Sequence, residues 1–131
     1  MESIIANEKL APQGEEKIEW VRRHMPVLDG IAAEFERDQP FRGLKAVVCV
    51  HLEAKTAYLA DVLRRGGAEV FCTGSNPLST QDDVCAALAQ RGVTVMATHA
   101  CTPEEYHHYE CLALSVCPHL VIDDGGDMVH I

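Results

Sequence analysis

Four short apolar runs, separated by stretches of helical spacing, constrain the fold of this chain more than any other feature of its sequence. The first run, residues 46–50, is continuous and rich in β-branched residues, as expected for a strand that is covered on both faces. The other runs lie near residues 70–72, 93–97 and 120–122. Strands that alternate with helices through short connections are typical of a parallel α/β sheet.

Helices are also predicted ahead of the first strand. From Glu15 onward, apolar residues recur every three or four positions, which indicates an amphipathic helix. Pro26 interrupts this pattern. Because proline suits a first helical turn better than an interior, we predict one helix that ends near Met25 and a second that begins at Pro26. The predicted fold is an α/β, Rossmann-like (flavodoxin-like) three-layer domain with a mainly parallel sheet of about four strands, preceded by amino-terminal helices.

Local signals divide the chain further. Residues 1–14 lack periodicity and are predicted to be a flexible amino-terminal segment, followed by one domain at 15–131. Ser79 or Thr80 is predicted to cap the helix after the second strand, and Thr102 the helix after the third.

The acidic composition limits the partners. The chain has 20 acidic and 11 basic residues, and its formal net charge of −9 disfavours nucleic acid and anionic membrane surfaces. No apolar stretch approaches the length of a membrane span, and the first residues do not resemble a signal peptide. The six cysteines form no C-x-x-C pair, which favours buried thiols in a reducing compartment. We predict a cytoplasmic protein that binds a small molecule, with no nucleic-acid or membrane partner.

Ionisable and polar residues follow the ends of the predicted strands, which is where open parallel sheets bind ligands. These residues are His51, Glu53, Lys55, Asn76, His99 and Asp124. Taken alone, a histidine after a strand is commonly a solvated loop residue, and Asp-Asp-Gly-Gly-Asp is a turn composition. His107, His108 and Cys111 lack a fourth ligand and the usual spacing, so no metal site is predicted. The pairs Gly66-Gly67 and Gly125-Gly126 match no phosphate-binding motif, so we expect no cofactor bound to this chain.

Four segments, in this order, resemble the substrate-binding domain of S-adenosylhomocysteine hydrolases. They are His51-Leu52-Glu53-Ala54-Lys55-Thr56-Ala57, Gly67-Ala68-Glu69-Val70, Ser75-Asn76-Pro77-Leu78-Ser79-Thr80-Gln81-Asp82 and Asp123-Asp124-Gly125-Gly126-Asp127. The resemblance spans nearly the whole chain from about Glu15, and the last two segments at this separation form a specific pair.

The resemblance implies an NAD-dependent, reversible hydrolysis of S-adenosylhomocysteine to adenosine and homocysteine. In that family NAD oxidises the ribose 3′-hydroxyl, the ketone acidifies the C4′ proton, homocysteine is eliminated, water adds and the ketone is reduced again. His51 matches the histidine implicated in proton transfer near the leaving group, and Asp124 matches the acid/base aspartate at the ribose. The implied substrate-binding residues are Glu53, Lys55, Thr56 and Asn76.

The resemblance covers only the first part of such an enzyme. Residues 15–131 match part of the substrate-binding domain, and the NAD-binding domain is expected to be absent, so NAD belongs to the full-length family enzyme. We expect no turnover by the 131-residue chain alone. The family is homo-oligomeric, and apolar surface that normally faces the missing part would favour self-association of this chain.

Two residues near the purine position depart from the familiar family pattern, as in thermophile and archaeal members. Glu53 and Lys55 stand where Thr and Glu are usual. Since an ammonium group donates to a carbonyl, and hypoxanthine carries a carbonyl at C6, we hypothesise that Lys55 admits S-inosylhomocysteine. Alternatively, Glu53 contacts the adenine amino group, or the two side chains pair with each other.

Two other classes of protein remain open. One is a stand-alone, non-catalytic nucleoside-binding or regulatory domain, and the other is a generic flavodoxin-like interaction domain. The presence of both His51 and Asp124 favours the enzyme, because a binding module needs no acid/base pair.

Overall fold

The computed structural model describes residues 1–131 as five α-helices and one four-stranded, all-parallel sheet. The elements are α1 (Ala11–His24), α2 (Pro26–Asp38), β1 (Lys45–Val50), α3 (Ala54–Arg65), β2 (Glu69–Gly74), α4 (Asp82–Gln90), β3 (Thr94–Met96), α5 (Pro103–Ser115) and β4 (Leu120–Asp123). The predicted α/β three-layer fold with four parallel strands is therefore confirmed. None of these helices is long and apolar enough to cross a membrane.

The strand order is β3-β2-β1-β4, so the chain reverses its direction across the sheet once. It proceeds from β1 outward to β3, and α5 then returns it to the other side of β1, where β4 pairs in parallel. In the register of this last pair, Cys49 of β1 lies opposite Asp123 of β4. The carboxyl ends of β1 and β4 are therefore neighbours at the point of reversal.

The core lies on both faces of the sheet. Ala46 and Val48 of β1 join a cluster of 22 buried residues with helices α1 to α4, and Val47 and Cys49 join a cluster of 7 with α5. Alternate side chains of β1 point to opposite faces, and both faces are covered. This double coverage explains why the sequence of β1 reads as a continuous apolar run.

The first helices follow the prediction at their junction and depart from it at their start. Met25 separates α1 from α2, and Pro26 is the first residue of α2, as predicted. However, α1 begins at Ala11, so the start predicted at Glu15 was wrong. Ala11 and Gly14 are buried and allow α1 to lie close to α4. Periodicity of large apolar residues does not detect an interface made by small ones.

Part of the amino-terminal segment lies against the sheet. The backbone N–H of Ile4 donates to the carbonyl of Val95 at 2.7 Å, and the N–H of Ala97 donates to the carbonyl of Ile4 at 3.1 Å. Residue 4 thus adds one parallel bridge beside β3. The flexibility of residues 1–14 remains a prediction.

One of the two predicted caps forms. Thr102 and Glu105 make a reciprocal capping box at the start of α5, as predicted. The prediction that Ser79 or Thr80 caps α4 was wrong, because α4 starts at Asp82 and its N-cap residue is Gln81, whose side chain accepts no backbone N–H of the helix. The hydroxyls of Ser79 and Thr80 instead donate to the carbonyl oxygen of Asn76, at 3.1 and 3.0 Å.

Three of the six cysteines behave as the predicted buried thiols. Cys49, Cys72 and Cys85 are free and buried, and burial raises the pKa of each thiol, to about 12 for Cys49 and for Cys85. Cys117, by contrast, is exposed.

Candidate functional site

The carboxyl end of the sheet places two of the predicted residues beside each other. His51 follows the last residue of β1, and Asp124 follows the last residue of β4. The N–H of Asp124 donates to the carbonyl of Cys49 at 3.4 Å, so the segment after β4 remains adjacent to β1. In open parallel sheets, the crevice at such a reversal of strand order is where ligands bind.

His51 is exposed, and its ring is held at one nitrogen. Its Nδ1 lies 2.6 Å from the hydroxyl oxygen of Ser79, in the loop between β2 and α4. The backbone carbonyl of His51 accepts from the N–H of Glu53 at 3.0 Å, which turns the chain from β1 into α3. The ring is therefore positioned from the side of β2, and its other nitrogen has no partner within the chain.

Within the Asp-Asp-Gly-Gly-Asp loop, the two neighbouring aspartates have different surroundings. The carboxylate of Asp123 accepts three backbone N–H groups, from Gly125 at 3.1 Å, Gly126 at 3.0 Å and Met128 at 2.9 Å. Gly126 has a φ of 79°, a conformation that glycine adopts without strain. Asp123 thus fixes the turn, while the Asp124 carboxylate is exposed and has no partner within the chain.

Tyr106 of α5 connects this loop to the end of β2. Its hydroxyl lies 3.0 Å from Oδ2 of Asp127 and 3.3 Å from the carbonyl oxygen of Ser75. Burial is the main cause that raises the pKa of this hydroxyl, and neighbouring acidic groups add to it. Tyr106 therefore remains a hydrogen-bond donor and holds the two loops together.

One group of three residues meets the geometric requirement for a metal site. Ligand atoms of Cys49, Asp123 and Asp127 lie within 4.8 Å of one another. However, both carboxylate oxygens of Asp123 already accept backbone hydrogen bonds, and Asp127 accepts from Tyr106. Burial and the nearby Asp123 raise the pKa of the Cys49 thiol to about 12, which disfavours the thiolate that a metal requires. Hydrogen bonding explains this cluster without an ion.

The start of α3 carries three of the predicted substrate-binding residues. Oε1 of Glu53 accepts the N–H groups of Lys55 and Thr56, at 3.1 and 3.2 Å, so Glu53 is the N-cap of α3. Thr56 is buried, whereas Lys55 is exposed and its ammonium group has neither a hydrogen bond nor an ion pair. Glu53 and Lys55 do not pair with each other, and that alternative is therefore wrong for this structure.

Glu53 and Lys55 line an open groove of about 760 Å³ between α1 and the first turn of α3. The opposite wall includes Lys17 and Trp20, and Trp20 is 59% exposed and stacks on His24 at 3.9 Å between ring centroids. The sequence analysis did not predict a groove on this side of α1. The signal that it missed was a tryptophan on the polar face of the helix, outside the stripe of buried apolar residues.

The structure does not bring all the predicted residues into one cavity. His51, Asn76 and Asp124 are not among the residues that line the groove. Asn76 instead shapes the loop after β2, because its Oδ1 accepts the N–H of Leu78 at 2.9 Å and its carbonyl oxygen accepts the hydroxyls of Ser79 and Thr80. The candidate site thus consists of the carboxyl end of the sheet, with His51 and Asp124, and a neighbouring groove.

The fold is that of an open, parallel α/β domain, and the carboxyl ends of β1 and β4 lie where such sheets bind ligands. The family model described as S-adenosyl-L-homocysteine hydrolase matches residues 2–131. The chain belongs to this family.

Curated relatives carry two different names. The chain is 52% identical to an adenosylhomocysteinase of Pyrococcus abyssi over 122 residues, which is 93% of this chain and 29% of that protein. It is 49% identical to an S-inosyl-L-homocysteine hydrolase of Methanococcus maripaludis over 129 residues, 98% of this chain and 31% of that protein. An adenosylhomocysteinase of Thermotoga maritima is 49% identical over 118 residues, 90% of this chain and 29% of that protein. The chain thus spans less than a third of the length of these relatives.

Proposed function

We propose that this chain is the amino-terminal part of the substrate-binding domain of an enzyme that reversibly hydrolyses a purine nucleosyl homocysteine thioether to the nucleoside and homocysteine. The observation that carries the proposal is that His51 and Asp124 follow the neighbouring carboxyl ends of β1 and β4, at the point where the strand order reverses. Both side chains are exposed there, so both are available to a ligand. The family match and the two kinds of named relatives support the same class of substrate.

The two residues have complementary tasks in this proposal. His51 exchanges a proton with the leaving thiol, since imidazole takes up and releases protons near neutral pH. Asp124 acts on the ribose as a carboxylate that is free of protein partners, while Asp123 holds the loop in place. A domain that only bound nucleosides would not need this pair, and this is the reason to prefer an enzyme.

NAD belongs to the proposal only for the whole enzyme, where it would supply the oxidation and re-reduction of the ribose. The glycine pairs of this chain lie against other parts of the protein. Gly66 packs on Phe41, Gly67 lies against the backbone of Arg42, and the N–H of Gly126 donates to the carboxylate of Asp123. These glycines form no loop that could hold a pyrophosphate. The residues present therefore do not fit NAD, and we propose that the chain alone binds but does not turn over substrate.

We propose that Lys55 selects the purine base of the substrate. Its ammonium group is unpaired and lies in the groove, whereas Glu53 beside it already uses one carboxylate oxygen as a helix cap. An ammonium group can donate to the C6 carbonyl of hypoxanthine and has no acceptor for the C6 amino group of adenine. This favours an inosyl substrate, while the remaining oxygen of Glu53 is the group that would favour an adenosyl one.

Titration of the isotope-labelled chain with inosine and with adenosine, followed by amide NMR shifts, tests the proposal. We expect shifts at His51, at the start of α3 and at the loop of residues 123–127, with tighter binding of inosine. Lys55→Met should remove the preference for inosine, and Lys9→Met, which removes the same charge from an exposed site outside the groove, should keep it. No shift with millimolar nucleoside would contradict the binding proposal, and an unaltered preference in Lys55→Met would contradict the role of Lys55.

A further inference from the structure

The loop between β2 and α4 holds the ring of His51 through a single side chain. Nδ1 of His51 lies 2.6 Å from Oγ of Ser79, and Oγ of Ser79 lies 3.1 Å from the carbonyl oxygen of Asn76. The three groups form a continuous chain of hydrogen bonds from β1 to the loop. Ser79 lies in the segment that sequence reasoning read as a helix cap, and this contact gives its hydroxyl another use.

The number of protons decides the direction of these bonds. A serine hydroxyl has one proton to donate, and a backbone carbonyl only accepts. If Ser79 donated to His51, its oxygen would lie 3.1 Å from the oxygen of Asn76 with no proton between them, and the two would repel. If Ser79 donates to Asn76, both contacts are satisfied, and Nδ1 of His51 must then carry the proton that Ser79 accepts.

We propose that Ser79 is a positioning residue that holds neutral His51 as its Nδ1–H tautomer. The unprotonated nitrogen is then Nε2, which has no partner within the chain and takes up or releases the proton. The same arrangement suits the imidazolium form, because Ser79 continues to accept from Nδ1 while Nε2 gains its proton. The catalytic use of this tautomer rests on the proposed function. A histidine that serves as acid and base needs one nitrogen that is held in place and one that exchanges the proton.

Thr80 provides a control within the same turn. Its hydroxyl donates to the same carbonyl of Asn76, at 3.0 Å, but makes no hydrogen bond with His51. Thr80 is buried, so Thr80→Val removes that hydroxyl and preserves the shape of the side chain. At position 79, Ser79→Thr retains a hydroxyl group and Ser79→Ala removes it.

The test is the ring tautomer of His51, measured by 15N shifts and long-range proton correlations in the ligand-free chain at a pH where the ring is neutral. We expect the proton on Nδ1 in the natural chain, in Ser79→Thr and in Thr80→Val. In Ser79→Ala we expect loss of this preference and a shift towards the Nε2–H form that free imidazole side chains favour. Amide spectra of each variant report whether the fold is retained.

Two results would overturn the inference: a proton on Nε2 in the natural chain, or an unchanged tautomer in folded Ser79→Ala. The first requires no variant, so it applies even if Ser79→Ala does not fold. Failure of the proposed function is a separate result, because it would appear as the absence of nucleoside binding whatever the tautomer of His51.

Discussion

At the scale of single residues, Glu110 has the most unexpected environment. It lies on the buried side of α5 beside Tyr109 and is only 4% exposed, and its Oε1 has no hydrogen-bond partner. Burial raises the pKa of this carboxyl group, and the negative charges of Asp127 and Asp123 act in the same direction. Tyr106 and His107 act against this shift, but they do not reverse it.

The raised pKa of Glu110 predicts a pH-dependent cost to stability. Because its pKa is higher in the folded than in the unfolded chain, the folded state binds more protons, and stability falls as the pH rises from about 4.3, the unfolded value, through the folded value. Glu110→Gln removes this titration. We therefore expect the variant to gain stability relative to the natural chain between pH 4 and pH 8, as measured by urea unfolding at each pH.

Glu104→Gln is the matched control, since Glu104 lies in the first turn of the same helix and is exposed. Its unfolding, measured in the same way, is the reference for a Glu-to-Gln change on this helix. A difference for Glu110→Gln that stays constant from pH 4 to pH 8 would contradict the assignment of a raised pKa.

The candidate residues show what the sequence could and could not predict at this scale. The positions of His51 and Asp124 at the carboxyl end of the sheet could be predicted, because strand ends can be located from apolar runs. Ser79 was misread, because a hydroxyl before a helix is equally suited to a cap and to a distant histidine. Only the fold, which brings residue 51 beside residue 79, decides between these uses.

At the scale of elements, α1 and α4 pack with an unusually close approach of their backbones. A Cβ atom added to Gly14 would lie 1.9 Å from the carbonyl oxygen of Asp83. Around this contact, Arg91 joins the helices through ion pairs with Glu15 of α1 and, at 2.8 Å, with the buried Asp61 of α3. The close packing needs glycine at position 14, because backbone atoms cannot rotate away as a side chain can.

Gly14→Ala should therefore destabilise the chain by about 2–4 kcal/mol, since the helices must separate to admit the methyl group. Chemical denaturation measures this change in the free energy of unfolding. Gly30→Ala is the control, because nothing lies within 4 Å of the added Cβ in the middle of α2. That variant should be neutral or more stable by up to about 1 kcal/mol. Equal effects of the two substitutions would contradict the packing argument.

The elements themselves were largely predictable. The break at Pro26 and the capping box at Thr102 follow from local chemistry, and both form as predicted. The true start of α1 was not predictable from periodicity, because alanine and glycine give no apolar signal even when they lie at an interface. The groove beside Trp20 was likewise unpredictable, since it depends on which neighbour α1 packs against.

At the scale of the whole molecule, β4 is an edge strand that pairs only with β1. Leu120 and Val121 of this strand are exposed, with 40% of Val121 accessible. An edge with unpaired backbone groups and apolar side chains is a surface that other chains can pair with. This is the feature of the structure that supports the expected self-association.

Val121→Lys should reduce self-association, because a charge on an edge strand opposes pairing with a second copy. Sedimentation velocity at increasing concentrations measures the change. Val27→Lys is the control, since Val27 is 77% exposed but lies on α2, away from the edge. A monomeric natural chain at high concentration, or an equal effect of both substitutions, would contradict this expectation.

The return of the chain to the far side of β1 also sets the order in which His51 and Asp124 can come together. The ring of His51 is held once β1, β2 and the loop with Ser79 have formed, but Asp124 comes beside β1 only after α5 has crossed the sheet and β4 has docked. A folding intermediate that lacked β4 would therefore retain most of the core while Asp124 was not yet near His51. Since β4 has a single neighbour, its amides should be among the first of the sheet to exchange with solvent. A nucleoside bound at the carboxyl end of β4 would slow that exchange by stabilising the docked strand.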